Sequence, residues 1–323
     1  MNRRDFIEKG TAAFLAAQLA GTELFAACTG SAQNSMSKQG INNQGNNNPG
    51  TESDPTVLKV RFLGTGAADW TSAVYHGEHR NFSSILVDDR ILVDYTAMAL
   101  SMIPSGIKPE TIFYTHSHGD HFNAVDALQL GIRKVYVGLT WYATAKEKFE
   151  EAAKSTGKPA PVMIGVDMFT PYQIDGITFI PLPANHGTSI RKEQAIIYLM
   201  EKGNARVLYA TDTGGIMASG AQYAGFDKAS SNPRALTGMI MEATMGLDYD
   251  EDFRIFTHSS VKTVLRIAHV LQDTGLYKPK NGEPIYLTHL ARTLHAPQSE
   301  LVRTIPAPLA PAYDGLEVKY SIA

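Results

Sequence analysis

Cysteine is nearly absent from this chain: Cys28 is the only one in 323 residues. No intramolecular disulfide can form, so an oxidising compartment would leave no other mark on the sequence. An excess of charge is also missing, since 29 Lys and Arg stand against 32 Asp and Glu, a formal net charge of -3. There is no basic footprint of the kind a nucleic-acid binder carries, and electrostatics name no partner. No internal repeat recurs at a fixed period, which sets repeat architectures aside. The Ala/Leu-rich stretch from Thr11 to Ala20 is too short to span a bilayer as a mature helix. Apolar residues are almost missing from Thr29 to Pro55, where Asn, Gly, Ser and Gln dominate. Such a composition buries too little surface to offset its ordering entropy and reads as a disordered tether.

The first residues read as an address. Asn2, Arg3, Arg4, Asp5 and Phe6 form a twin-arginine pattern, and Leu24, Phe25, Ala26 and Ala27 precede Cys28 as in a bacterial lipoprotein cleavage box. The expectation is a signal over residues 1–28, a linker over 29–56 and one domain over 57–323, exported to the periplasm or anchored to a bacterial membrane through acylated Cys28.

Past Val57, short apolar runs alternate with amphipathic stretches. Strands are predicted at Leu58 to Leu63, Ser84 to Val87, Ile91 to Asp94, Thr111 to Tyr114, Lys134 to Val137 and Thr178 to Leu182. Further strands are predicted at Ala195 to Met200, Arg206 to Ala210, Met239 to Met241, Ile285 to Leu287 and Leu316 to Tyr320. Helices are predicted at Phe122 to Leu130, Trp141 to Lys154 and Ser260 to Asp273. Many strands with interspersed helices imply an α+β class with two packed sheets and helices outside.

The densest chemistry is Thr115, His116, Ser117, His118, Gly119, Asp120, His121, placed directly after Ile112, Phe113 and Tyr114. At a strand end the period of two lets His116 and His118 face one way, while Asp120 and His121 fall at the start of the next helix. Imidazole nitrogens and a carboxylate are the ligands of catalytic zinc, which keeps one position open for water. A lone histidine in a polar turn would be a surface residue; three with an aspartate in six positions are a metal site. His186, Asp212 and His289 each follow an apolar run, at the sheet edges where sites lie. Taken singly, the aspartate could be a helix cap and the histidines merely solvated.

These residues and their flanks resemble the metallo-β-lactamase superfamily over Leu58 to Val318, and within it the ribonuclease Z and phosphoribosyl cyclic-phosphate phosphodiesterase branch. The flanks are Leu63 to Gly66, Pro183 to His186, Thr211 to Thr213, Leu287 to His289 and Tyr313 to Glu317. The resemblance implies a four-layer αββα sandwich with two zinc ions, one on His116, His118 and His186, the other on Asp120, His121 and His289, bridged by Asp212. Manganese or iron would suit the same ligands. Two features depart from the branch: no cysteines are present for the extra structural zinc of the cyclic-phosphate enzymes, and Trp141 to Tyr172 reads as helix, turn and strand rather than the tRNA-gripping arm of ribonuclease Z.

Two metals can hold a bridging hydroxide, which suits phosphodiesters and equally esters, lactones or β-lactams. A phosphodiester leaving group departs as an alkoxide that needs a proton, and His258 is the candidate acid. It could instead be only a neighbour of the cap of the helix beginning near Ser260. The resemblance implies that Glu242 orients His258, so the expected catalytic set is Asp120, Glu242 and His258. Gly64, Thr65 and Gly66 could cradle an anion or form a tight turn. Trp70, Tyr75, His76, His79 and Arg80 could line the pocket or form a packed surface loop. His295 could reach the pocket, and His269 inside a helical pattern is expected to be structural or solvated. The partner expected is a small phosphodiester or ester substrate rather than nucleic acid, with membrane contact only through the lipid anchor and a homodimer left open.

Overall fold

Ile91, Leu92 and Val93 are three successive apolar residues, all fully buried. Side chains alternate along a strand, so this strand must be covered on both faces. The computed structural model, which describes residues 56–71 and 74–321, shows the covering. Ile91 and Val93 join Phe179, Tyr198 and Val207 in one cluster, whereas Leu92 joins Ala127, Leu128 and Phe149 in another. Arg3, Arg4, Cys28 and the expected linker up to Pro55 lie outside the described residues.

The first sheet contains β1 (Leu58–Gly64), β2 (Ser84–Val87), β3 (Ile91–Val93), β4 (Thr111–Phe113), β5 (Lys134–Gly138), β6 (Val162–Val166) and β14 (Glu317–Tyr320), in the order β14-β1-β2-β3-β4-β5-β6. The second contains β7 (Tyr172–Ile174), β8 (Ile177–Pro183), β9 (Ile196–Lys202), β10 (Ala205–Ala210), β11 (Gly238–Glu242), β12 (Ile285–Thr288) and β13 (Leu309–Pro311), in the order β13-β12-β11-β10-β9-β8-β7. Pairing is antiparallel from β14 to β3 and parallel from β3 to β6. In the second sheet it is antiparallel from β7 to β10 and parallel from β10 to β13.

Helices α1 (Ala124–Leu130) and α2 (Tyr142–Thr156) cover the first sheet, with Ala127, Leu128, Ala145 and Phe149 facing Leu92 and Ile112. Helices α3 (Ala218–Ala224), α4 (Val261–Asp273) and α5 (Gln298–Thr304) cover the second, with Val264, Ala268 and Leu301 packed on Leu208, Met241 and Leu287. The result is the four-layer αββα metallo-β-lactamase-like sandwich. Phe113, the last residue of β4, stacks on Tyr136 at 4.2 Å and on Phe179 of the facing sheet at 4.3 Å. That double stack gives the following histidine-rich turn a rigid base.

Several boundaries differ from expectation for identifiable reasons. The first helix starts at Ala124 rather than Phe122, because the Asn123 side chain caps it by accepting from Val125 N and Asp126 N. Asp120 and His121 therefore lie in the turn before the helix, not in its first turn, with the backbone of His121 and Phe122 donating to His118 O. Ser260 likewise caps α4 by accepting from Thr263 N at 3.1 Å. The segment from Trp141 to Tyr172 holds α2 and β6. Among the described residues no helix is long and apolar enough to cross a membrane.

Candidate metal centre

The site is assembled where strands end. Asp94 follows β3, His116 to His121 follow β4, His186 follows β8, Asp212 follows β10 and His289 follows β12. Within each sheet these strands run the same way, so their carboxyl ends share one edge, where α/β sheets place ligands.

Asp212 sits at the centre. Its Oδ1 lies 4.0 Å from His116 Nε2 and 3.7 Å from His186 Nε2, while its Oδ2 lies 2.9 Å from His121 Nε2 and 3.2 Å from His289 Nε2. One carboxylate thus faces two ligand groups: His116 with His118 and His186, and Asp120 with His121 and His289, the candidate donor atoms of each group lying within 4.8 Å of one another. Asp120 Oδ2 is 3.2 Å from His121 Nε2 and 3.4 Å from His289 Nε2.

The outward nitrogens are tied down. Asp94 Oδ2 accepts from His121 Nδ1 at 2.8 Å and from Thr115 Oγ1 at 2.7 Å. That threonine hydroxyl has one proton, already given to Asp94, so at 2.9 Å it accepts from His116 Nδ1. His186 Nδ1 donates to Thr257 O at 3.1 Å, and His289 Nδ1 meets Thr244 Oγ1 at 2.8 Å. Four rings therefore turn Nε2 toward the centre; His118, turned the other way, brings its Nδ1 to 3.2 Å from His186 Nε2. Ser117, between the first two histidines, is gripped by Glu193, which accepts from its N at 2.8 Å and its Oγ at 2.6 Å.

These residues fit a cation pair. His116 Nε2 is buried without a hydrogen bond, 4.0 Å from Asp212 Oδ1, a costly state unless an ion takes the lone pair. Burial, and then the neighbouring His121, hold His116 well below the usual histidine range; burial and His186 lower His118; burial lowers His186. Neutral imidazole is the form that binds metal. Burial also pushes His121 down, but the carboxylates of Asp212, Asp120 and Asp94 outweigh it and raise the ring well above its usual value. Burial would raise Asp120 and Asp212, yet the imidazoles around them hold both well below the carboxylate range. Buried anions at this density call for positive charge.

A family model described as the beta-lactamase superfamily domain matches residues 99–300, more than half of the chain. The chain belongs to the beta-lactamase superfamily. No curated protein sequence matches it. Among solved structures, a diphosphatase of the PhnP family aligns with a TM-score of 0.57 at 23% identity, covering 83% of this chain and 98% of its own. Human tRNase Z, short form, aligns at 0.56 with 14% identity, covering 80% and 98%. Zinc-bound PqqB from Methylobacterium extorquens aligns at 0.55 with 14% identity, covering 80% and 99%. These likenesses are of fold, and they include the ribonuclease Z type that the sequence resembles.

Beside this candidate ligand cluster stands the second expected pair. Glu242 is fully buried at the end of β11, and its Oε1 lies 3.0 Å from His258 Nδ1. Burial would lower His258, but Glu242 above all, then Asp212, outweighs it and raises the ring to about 9. His258 Nδ1 is also 3.9 Å from Asp212 Oδ1, and its ring stacks on His289 at 5.5 Å.

Other candidates fall elsewhere. Gly64, Thr65 and Gly66 are buried and no anion cradle: a Cβ on Gly64 would lie 1.9 Å from Phe82 O, and Thr65 Oγ1 bonds Asp314. Their glycines serve close backbone approach. Trp70 is buried with its Nε1 donating to Leu290 O at 2.8 Å, and Arg80 is buried on Thr65 Oγ1, Ala312 O and Gln298 Oε1. Both are packed inside the fold, Trp70 4% and Arg80 5% exposed. Tyr75 lies against Arg292, while His76 and His79 are exposed, the latter edge-on to Trp70. His295 donates from Nε2 to Ala243 O at 2.6 Å, behind the Glu242 turn; burial lowers it to about 4. His269 is solvent-exposed. Sequence reasoning missed Asp94, Thr115, Thr244 and Glu193. Asp94 carried the same signal as Asp212, an aspartate ending an apolar run.

Proposed function

We propose that the chain is a phosphodiesterase that works with two zinc ions. The ions would rest on His116, His118 and His186 and on Asp120, His121 and His289, with Asp212 between them. Bound there, they would supply a water acidified to near neutral pH and positive charge opposite the phosphoryl oxygens. The chain's own contribution is proton delivery. His258 Nδ1 is committed to Glu242 at 3.0 Å, which leaves Nε2 as the atom that gives a proton to the departing alkoxide. Glu242 cannot drift, because Thr213 N donates to it at 2.6 Å and Thr244 Oγ1 at 2.5 Å.

The observation that carries the reading is the His258 ring, held by a fully buried glutamate at 3.0 Å beside the ligand cluster. The fold shared with a PhnP-family diphosphatase and human tRNase Z supports it. Purified protein should hydrolyse bis(p-nitrophenyl) phosphate or 2′,3′- or 1,2-cyclic phosphates in a zinc-dependent manner. No turnover of any phosphodiester, with cleavage of nitrocefin or a lactone that survives His258→Ala, would replace the reading with ester or lactam hydrolysis.

Export is proposed on sequence alone. Arg3→Lys with Arg4→Lys should leave precursor in the cytoplasm, and Cys28→Ser should release exported protein from the membrane fraction. Normal export of the first variant, or membrane retention of the second, would remove the corresponding step.

A further inference from the structure

The turn that follows β11 repeats, on the second sheet, the device that follows β3 and β4 on the first. On the first sheet, Asp94 accepts from Thr115 N at 2.8 Å, Thr115 Oγ1 at 2.7 Å and His121 Nδ1 at 2.8 Å. On the second, Glu242 accepts from Thr244 N at 3.1 Å, Thr244 Oγ1 at 2.5 Å and His258 Nδ1 at 3.0 Å. Each time, a fully buried carboxylate takes the N–H and O–H of one threonine together with one imidazole. Each threonine oxygen, its proton spent, then accepts from a second imidazole: His116 at 2.9 Å in one case, His289 at 2.8 Å in the other.

The two devices differ in what they serve. Asp94 and Thr115 hold two metal ligands, His116 and His121. Glu242 and Thr244 hold one ligand, His289, and one ring outside the ligand set, His258. A single hydroxyl therefore touches both the metal half and the acid half of the site. Thr244 Oγ1 also lies 3.2 Å from His258 Nδ1 itself.

We propose that Thr244 is a positioning residue whose hydroxyl fixes His289 for its metal and, through Glu242, fixes His258 for proton delivery. The acid half rests on the proposed phosphodiesterase function; the metal half rests only on the His289 geometry. Valine in its place keeps the shape and removes both roles. His289 Nδ1 loses its acceptor in a position that is almost fully buried, and Glu242 Oε2 keeps only Thr244 N. Serine restores the hydroxyl. Thr115 provides the control, since Asp94 bonds no ring outside the ligand set.

The test compares Thr244→Val, Thr244→Ser and Thr115→Val by zinc competition against a chelator series and by rates on diesters with poor and good leaving groups. Thr244→Val should weaken one zinc by about 10- to 100-fold, the usual effect of losing an outer partner of a ligand histidine. It should also slow poor leaving groups more than good ones, and Thr244→Ser should recover both. Thr115→Val should weaken zinc without that discrimination. Unchanged zinc affinity in Thr244→Val, or no recovery in Thr244→Ser, overturns the inference. Should Thr244→Val fail to fold, nitrogen NMR of the wild-type chain decides: the His289 proton belongs on Nδ1, and finding it on Nε2 overturns the relay. If the wild-type chain turns over no phosphodiester, the acid half falls with the proposed function, while the zinc titration still decides the metal half.

Discussion

His258→Ala removes the ring that Glu242 holds at 3.0 Å, and the surroundings allow the loss to be read as chemistry rather than unfolding. The His258 side chain is 15% exposed, so the vacated space opens to water instead of leaving a sealed cavity. Glu242, fully buried, keeps three donors: Thr213 N at 2.6 Å, Thr244 Oγ1 at 2.5 Å and Thr244 N at 3.1 Å. Its charge is therefore not orphaned. None of the seven proposed ligands uses His258 as its hydrogen-bond anchor, so zinc content should stay at the wild-type value. What disappears is a proton donor, and general acids contribute typically about 10²- to 10⁴-fold, or about 3 to 5 kcal/mol of barrier. The whole loss should fall on diesters whose alkoxide cannot leave unprotonated. A p-nitrophenolate leaving group should lose far less. The assay is kcat/KM for an alkyl diester and for bis(p-nitrophenyl) phosphate, wild type against variant, with zinc measured on the same preparations. Equal losses on both substrates at unchanged zinc content would remove His258 from the acid role.

Asp212→Ala should leave neither ligand group able to hold its ion at short separation, because that carboxylate faces His116 and His186 with one oxygen and His121 and His289 with the other; metal analysis should find fewer than two zinc ions per chain, and two with normal turnover would contradict the bridge. Asp94→Asn keeps the shape but turns one of the two acceptor atoms into an NH2 donor, so it cannot accept from Thr115 N on one atom and from Thr115 Oγ1 and His121 Nδ1 on the other, and zinc affinity should fall by about 10- to 100-fold in a chelator titration. In the chelated protein, His258 is raised from 6.5 to about 9, so its contribution to stability is full below its unfolded value and lost as pH rises through about 9. Thermal unfolding of the chelated wild type should weaken over that window more than that of chelated His258→Ala, and parallel curves would refute it; bound zinc, being positive, should shift the window to lower pH.

What could be read from the sequence was what lies close in the chain. His116 to His121 crowd six positions, and the apolar runs before His186, Asp212 and His289 mark strand ends. The partners that tune them come from other strands and leave no local trace: Asp94 meets His121 only because β3 and β4 are paired. Burial was equally invisible. Arg80 and Trp70 look like pocket residues in a sequence, yet each is spent on backbone or side-chain acceptors inside the fold. The missed strands were those with weak patterns. Strand β7 is a half-exposed edge of three residues, and β13 ends on Pro311 two residues after Leu309, at the same sheet's other edge, where proline is tolerated.

One constraint on the site has no counterpart in spacing. Asp94, Asp212 and His289 all adopt positive φ, at 58°, 50° and 53°. Each stands at or just beyond the end of a strand, β3, β10 and β12, where continued alternation would keep side chains in the sheet's own cores. The left-handed kink breaks that alternation at the one place where the donors must converge. Such backbone costs of order 1–3 kcal/mol per residue and persists where the surroundings over-determine it. Here they do: three hydrogen bonds hold Asp94, Thr211 Oγ1 donates to Asp212, and Thr244 holds His289. Aspartate and histidine are among the few side chains that tolerate this conformation and also bind metal. Glycine would relieve the backbone but bring neither a ligand in place of Asp212 or His289 nor the acceptor that Asp94 offers His121, and glutamate would bring its carboxylate at a greater strain, so the residue type at these three positions is fixed by backbone and chemistry together.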